Sequence, residues 1–150
     1  MSKSKSKNTN KKTIQGTLIG IDYGENKTGI ALGKNGLVAP LKVIKSRSAE
    51  EVVHEIIRMG MENKAEAYVL GIPLTSDGKE TRQSLKVRNF GKILKILSKK
   101  HVYAQNEYNS TNETHTELTD LGIQPKRGAN DDHLAAALIL KNFFQEQKDL

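Results

Sequence analysis

Apolar residues along this 150-residue chain change their period several times, and the changes divide it into elements. Thr17–Tyr23 (TLIGIDY) is β-rich and alternates weakly, and after a turn over Gly24–Lys27 a second strand is predicted over Thr28–Leu32. So short a loop joins the two as a hairpin. The Gly33–Gly36 turn leads to a third antiparallel strand over Leu37–Ile44, where Pro40 cannot donate to a ladder and demands an edge position or a break. From Ser48 the spacing becomes helical. Val52, Val53, Ile56, Ile57 and Gly60 recur on one side, Ser48 and Glu51 make a capping box, and the helix is expected to end near Asn63.

Ala67–Ile72 is apolar without alternation, the pattern of a strand covered on both faces, and it stops at Pro73. A loop over Pro73–Lys79 precedes a second helix whose buried stripe is Val87, Phe90, Ile93, Leu94 and Leu97. Val102–Gln105 reads as a brief strand, and Thr111–Leu121 as a short helix closed by Gly122. Asp132–Gln147 is the final helix, with Leu134, Leu138, Phe143 and Phe144 as core candidates. The order β-β-β-α-β-α-β-α-α predicts an α/β fold, in which an antiparallel hairpin unit is joined to strands that return by helical crossovers. The result is a five-stranded mixed sheet flanked by helices. One domain is expected over 15–150, a size at which folding buries roughly 70% of the unfolded chain's surface.

Charge sharpens this picture. The net charge is +7, but residues 1–12 hold five lysines and no acid, and the rest of the chain carries 19 basic against 17 acidic residues. Residues 1–14 are too poor in apolar side chains to offset their ordering entropy. They are expected to form a disordered basic tail, either a loose nucleic-acid arm or a solubilising leader. Between Lys79 and Lys100, eight basic residues face the single acid Glu80, so the second helix should present a basic face. The absence of cysteine excludes disulfides, thiolate zinc sites and cysteine nucleophiles. No apolar run approaches the roughly 20 residues that cross a bilayer, and no signal-peptide h-region is visible, so a cytoplasmic protein is expected.

In open α/β sheets ligands gather at the carboxyl ends of the strands. Asp22 ends the first strand, Glu107 lies just past the fifth, and Asp131–Asp132 open the last helix. A carboxylate emerging from the apolar strand LIGID is costly unless its charge is compensated, and a hard divalent cation with oxygen ligands does that. The alternative is that Asp22 caps a turn and Glu107 is solvated. The glycines around Asp22 match neither the Walker loop nor the dinucleotide fingerprint. The four histidines fall at unrelated spacings and are expected to be surface or boundary residues.

Six segments, G-I-D-Y-G at 20–24, K-T-G-I-A at 27–31, P-L at 40–41, L-G-I-P-L-x-x-D-G at 70–78, V-R-x-F at 87–90 and D-x-x-A-A-x-x-I-L at 132–140, resemble in this order the YqgF family. That family, also called RuvX, comprises pre-16S rRNA nucleases formerly described as Holliday junction resolvases. The resemblance runs from about Thr17 to Phe144. It implies an RNase H-like, RuvC-like fold and metal-dependent phosphodiester cleavage, with Asp22, Glu107 and Asp132 as catalytic metal ligands for Mg2+ or Mn2+. At the family's D-E-R-x-T element the chain departs. It reads Asn106-Glu107-Tyr108, which keeps the Glu but loses the leading acid and the Arg.

Three carboxylates can hold two divalent ions roughly 4 Å apart for an in-line displacement. Lys27, which matches a basic position of the family, and Thr28 are candidates to touch backbone phosphates. Arg82, Lys86 and Arg88 on the second helix are candidates to follow the strand further. Of seven aromatics, Phe90, Phe143 and Phe144 belong to the core, so strong readout of bases is not expected. The expected function is an endonuclease acting on structured RNA, in ribosomal precursor processing, by a monomer or weak homodimer. The alternatives are a resolvase acting on branched DNA and a nucleic-acid-binding module without turnover.

Overall fold

A computed structural model describes residues 14–45, 48–108 and 132–148, the last segment with side chains from Leu134 onward. The basic tail up to residue 13, the expected helix over 111–121 and Asp131 lie outside the described residues. Five strands and three helices follow in the order β1 (Thr17–Asp22), β2 (Lys27–Lys34), β3 (Leu37–Lys45), α1 (Ala49–Glu62), β4 (Ala65–Leu74), α2 (Arg82–Ser98), β5 (Val102–Tyr108) and α3 (Asp132–Lys148). They build one sheet in the order β3-β2-β1-β4-β5. The first three strands are antiparallel neighbours, while β4 runs parallel to β1 and β5 parallel to β4. This is the expected mixed sheet.

Local chemistry accounts for the element ends. Ser48 Oγ accepts from Glu51 N at 3.2 Å and Ser48 N donates to Glu51 Oε1 at 3.3 Å, which completes the box that starts α1. Pro40 lies on the edge strand β3, and the ladder slips beside it. Ile30 pairs with Lys42 but Ala31 with Pro40, which leaves Leu41 as the extra residue of a bulge. The expected stop at Pro73 is corrected, because β4 continues to Leu74. Tyr68 N donates to His101 O, so by alternation the N–H missing at Pro73 is on the β1 side, and β1 has already ended there. No ladder bond is lost. The fifth strand is also longer than expected, and Glu107 lies within it rather than past it.

Alternation along the strands divides the core. Ile19, Ile21, Tyr68, Leu70 and Ile72 face α1 and α2, packing with Val53, Ile56, Phe90 and Leu94. Leu18, Ala67 and Val69 face α3, packing with Ala136, Ile139, Leu140 and Phe143. Glycines let α3 lie close on its face: a Cβ at Gly20 would stand 2.5 Å from Leu140 Cγ and 2.9 Å from Ala136 O. At Gly33, which pairs with Leu18, a Cβ would stand 2.8 Å from Phe144 and 3.1 Å from Leu140. Helix α3 therefore descends β1 from its carboxyl end, and its first turn lies over that end. Among the described residues no helix is long and apolar enough to cross a membrane.

Candidate metal and nucleic-acid site

Asp22 closes β1 half-buried, opposite Gly29 of β2, and alternation puts it on the α3 face with Leu18 and Gly20. Glu107 shares that face. Two residues earlier Gln105 is buried and donates to Glu146 Oε2 of α3 at 2.9 Å, and Tyr103 packs on Phe143 with ring centroids 5.1 Å apart. Asn142 of α3 donates its amide to the Glu107 carboxylate, at 3.4 Å to Oε2 and 3.5 Å to Oε1. Two strand spacings and two residue steps separate Asp22 from Glu107, which places their Cα atoms about 12 Å apart.

Gly71 of β4 lies between them. It continues the register level with Asp22, since Ile21 pairs with Leu70, and a Cβ there would stand 2.3 Å from Ile139 Cδ1 and 3.5 Å from Glu107 Cγ. The bare backbone thus lets Ile139 of α3 pack directly on β4 between the two carboxylate-bearing strands. Hard carboxylate oxygens at this end of the sheet fit Mg2+ or Mn2+ better than a softer metal. The third expected ligand, Asp132, is the first residue of α3. It lies one turn before Ala136, and the rise of the helix, about 6 Å over four residues, carries its backbone to the level of Asp22. Among the described side chains no three His, Cys, Asp or Glu converge; Asp132's side chain is not among them.

The predicted phosphate contacts divide. Lys27 is half-buried at the start of β2 on the face of Asp22, and it pairs across the hairpin with Lys45. Thr28 is corrected: it is 1% exposed and faces the α1 and α2 side with Ile30, so its hydroxyl is withdrawn from any substrate at Asp22. Helix α2 lies on that other face as well. The uninterrupted basic face expected there is reduced, because Lys86 pairs with Glu25 in the turn after Asp22 and Arg88 pairs with Glu80. The Arg88 pair is two-pronged, Nε to Oε1 at 3.0 Å and Nη2 to Oε2 at 2.6 Å. Those two bonds, with the Ser84 hydroxyl, hold the Glu80 carboxyl down to about 2. The exposed cations of this helix include Arg82, Lys92 and Lys95.

Sequence reasoning missed Lys45, Gly71 and Asn142. The first needs the hairpin register, and the other two need the contact between sheet and α3. No local pattern carries either.

Residues 16–146 match the family model described as RuvX, Holliday junction resolvase. A protein of Nitratidesulfovibrio vulgaris named "Putative pre-16S rRNA nuclease" is 35% identical over 128 residues, 83% of this chain and 90% of that one. One of the same name from Thiobacillus denitrificans is 33% identical over 132 residues, 86% and 91% of the two chains. Among solved structures, Thermus thermophilus RuvC in complex with a Holliday junction substrate superposes with a TM-score of 0.60 at 14% identity, covering 88% of this chain and 96% of that one. The fowlpox virus Holliday junction resolvase gives 0.51 at 14% identity, covering 89% and 99%. These superpositions establish a RuvC-like fold.

Proposed function

The chain belongs to the RuvX family of nucleases, and from that premise we propose that it is a metal-dependent endonuclease that hydrolyses phosphodiester bonds of structured RNA, in precursor 16S rRNA. The observation that carries the reading is the pair of half-buried carboxylates, Asp22 and Glu107, on one face at the carboxyl end of the sheet, with the first turn of α3 above Asp22 and Asn142 of α3 on Glu107. Asp22, Glu107 and Asp132 would hold the cations. When bound, the ions lower the pKa of the attacking water and stabilise the leaving oxygen. The chain's own residues supply geometry and charge. Rigid strand ends fix the carboxylates, Asn142 orients the Glu107 head, and Lys27 with Lys45 attracts the backbone phosphates to an end of the sheet that is otherwise acidic.

The test is cleavage of a precursor 16S rRNA fragment by the full chain in Mg2+ or Mn2+, with a four-way DNA junction run beside it. Asp22→Asn and Glu107→Gln are each expected to lower the rate by on the order of a hundredfold or more while the melting temperature holds. Wild-type rates in either variant would overturn the assignment. Cleavage of the junction alone would move the reading to branched DNA.

A further inference from the structure

Tyr108 ends β5 one residue beyond Glu107 and is 54% exposed. The chain has seven phenylalanines and tyrosines, and the other six are buried or half-buried. A ring left in water at a strand end contributes little to the fold. Its neighbours give it a defined setting. Tyr108 pairs with Leu74, and the loop that follows Leu74 closes on itself, with Thr75 N donating to Lys79 O at 3.0 Å and Gly78 N to Thr75 O at 2.9 Å. Gly78 sits at φ +85° in that loop, and a Cβ built on it would lie 3.8 Å from Tyr108 Cε1. The loop therefore backs the ring at one edge. Asn106, two residues earlier on the same side of the strand, is exposed and offers an amide donor and acceptor.

We infer that Tyr108 is a stacking platform for an unpaired nucleobase next to the scissile phosphate, with the Asn106 amide at the edge of that base. The inference rests on the nuclease reading above. Alternation sends Glu107 to the α3 face and Tyr108 to the other, yet their Cα atoms are about 3.8 Å apart, and β5 is the outermost strand. A nucleotide chain passing round this edge, the outermost among the described residues, meets the carboxylate with a phosphate and the ring with a neighbouring base. In a continuous duplex the bases are stacked on one another and unavailable, so the platform selects single-stranded or junction-proximal nucleotides. Aromatic stacking tolerates any base, because every base has a π face.

The chain has no tryptophan, so Tyr108→Trp places a single indole at the platform. Titrating that variant with a mixed-sequence single-stranded oligoribonucleotide in EDTA should quench its emission, saturating where anisotropy shows binding to saturate. A fully paired RNA of the same length should leave it unquenched. Tyr108→Leu keeps an apolar side chain without a π face and should weaken single-strand binding roughly tenfold, whereas Tyr108→Phe should stay within about twofold of wild type. An unquenched indole at saturating RNA, or equal affinity of the Leu and Phe variants, overturns the platform. The two readings fail separately. Quenching without metal-dependent cleavage overturns the nuclease and leaves the platform; Asp22-dependent cleavage without quenching does the reverse.

Discussion

Tyr23, the residue after Asp22, stacks on Phe90 of α2 with ring centroids 4.1 Å apart and planes 19° from parallel. The stack ties the turn that follows the candidate metal ligand to a helix on the opposite face of the sheet, and the Lys86–Glu25 pair repeats the connection two residues on. Such a stack contributes about 0.5–1.5 kcal/mol beyond the area it buries. Tyr23→Ala is expected to lower the melting temperature by several degrees and to slow cleavage more than Tyr23→Phe does. Thermal melts and single-turnover rates of the two variants provide the check; equal behaviour would mean that the stack does not support the site.

The Asn142 amide spans both oxygens of the Glu107 carboxylate. Partners of this kind, one layer behind a metal ligand, typically change metal affinity by roughly 10–100-fold when removed. Because both contacts are long, Asn142→Leu is expected near the lower end of that range. Mn2+ binding followed by calorimetry or electron paramagnetic resonance in the absence of substrate measures this directly. Unchanged affinity would assign the contact to packing of α3 on β5 alone.

Glu80 links pH to the start of α2. Its carboxyl is held to about 2 by Arg88 and Ser84, below the ordinary 4.5. A folded-state value below the unfolded one means that the contribution is complete above pH 4.5 and is lost as pH falls toward 2. Glu80 is substantially exposed, so the effect is screened and small. Stability of Glu80→Gln should therefore fall less steeply than that of wild type between pH 4.5 and 2. Denaturant melts across that window test it, and parallel curves would show that the pair contributes nothing.

Much of the fold was legible locally, for particular reasons. Ser48 and Glu51 satisfy the orphan donors of a helix start wherever they fall three apart, so α1 could be placed from four residues. Pro40 can be tolerated only on an edge or at a bulge, and it lies at both. Pro73 misled because whether its missing N–H matters depends on where a different strand ends. Thr28 misled for a similar reason: its neighbour Lys27 lies on the face of Asp22, and the period of two sends it to the other side.

The sequence by itself determined that Asp22 would end an apolar strand, that Glu107 and Asp132 would come near the ends of later elements, and that the charge of the domain proper is close to balanced apart from its basic tail. These follow from period, turn chemistry and composition, which act over a few residues. Only the tertiary structure decided that Asn142 reaches Glu107, that Glu25 and Glu80 take Lys86 and Arg88 away from the expected basic face, and that Tyr108 alone among the aromatics stays in solvent. Each joins residues between 8 and 61 positions apart, or depends on what neighbouring elements leave uncovered. Such relations are set by strand order and helix direction, which no short stretch of the chain specifies.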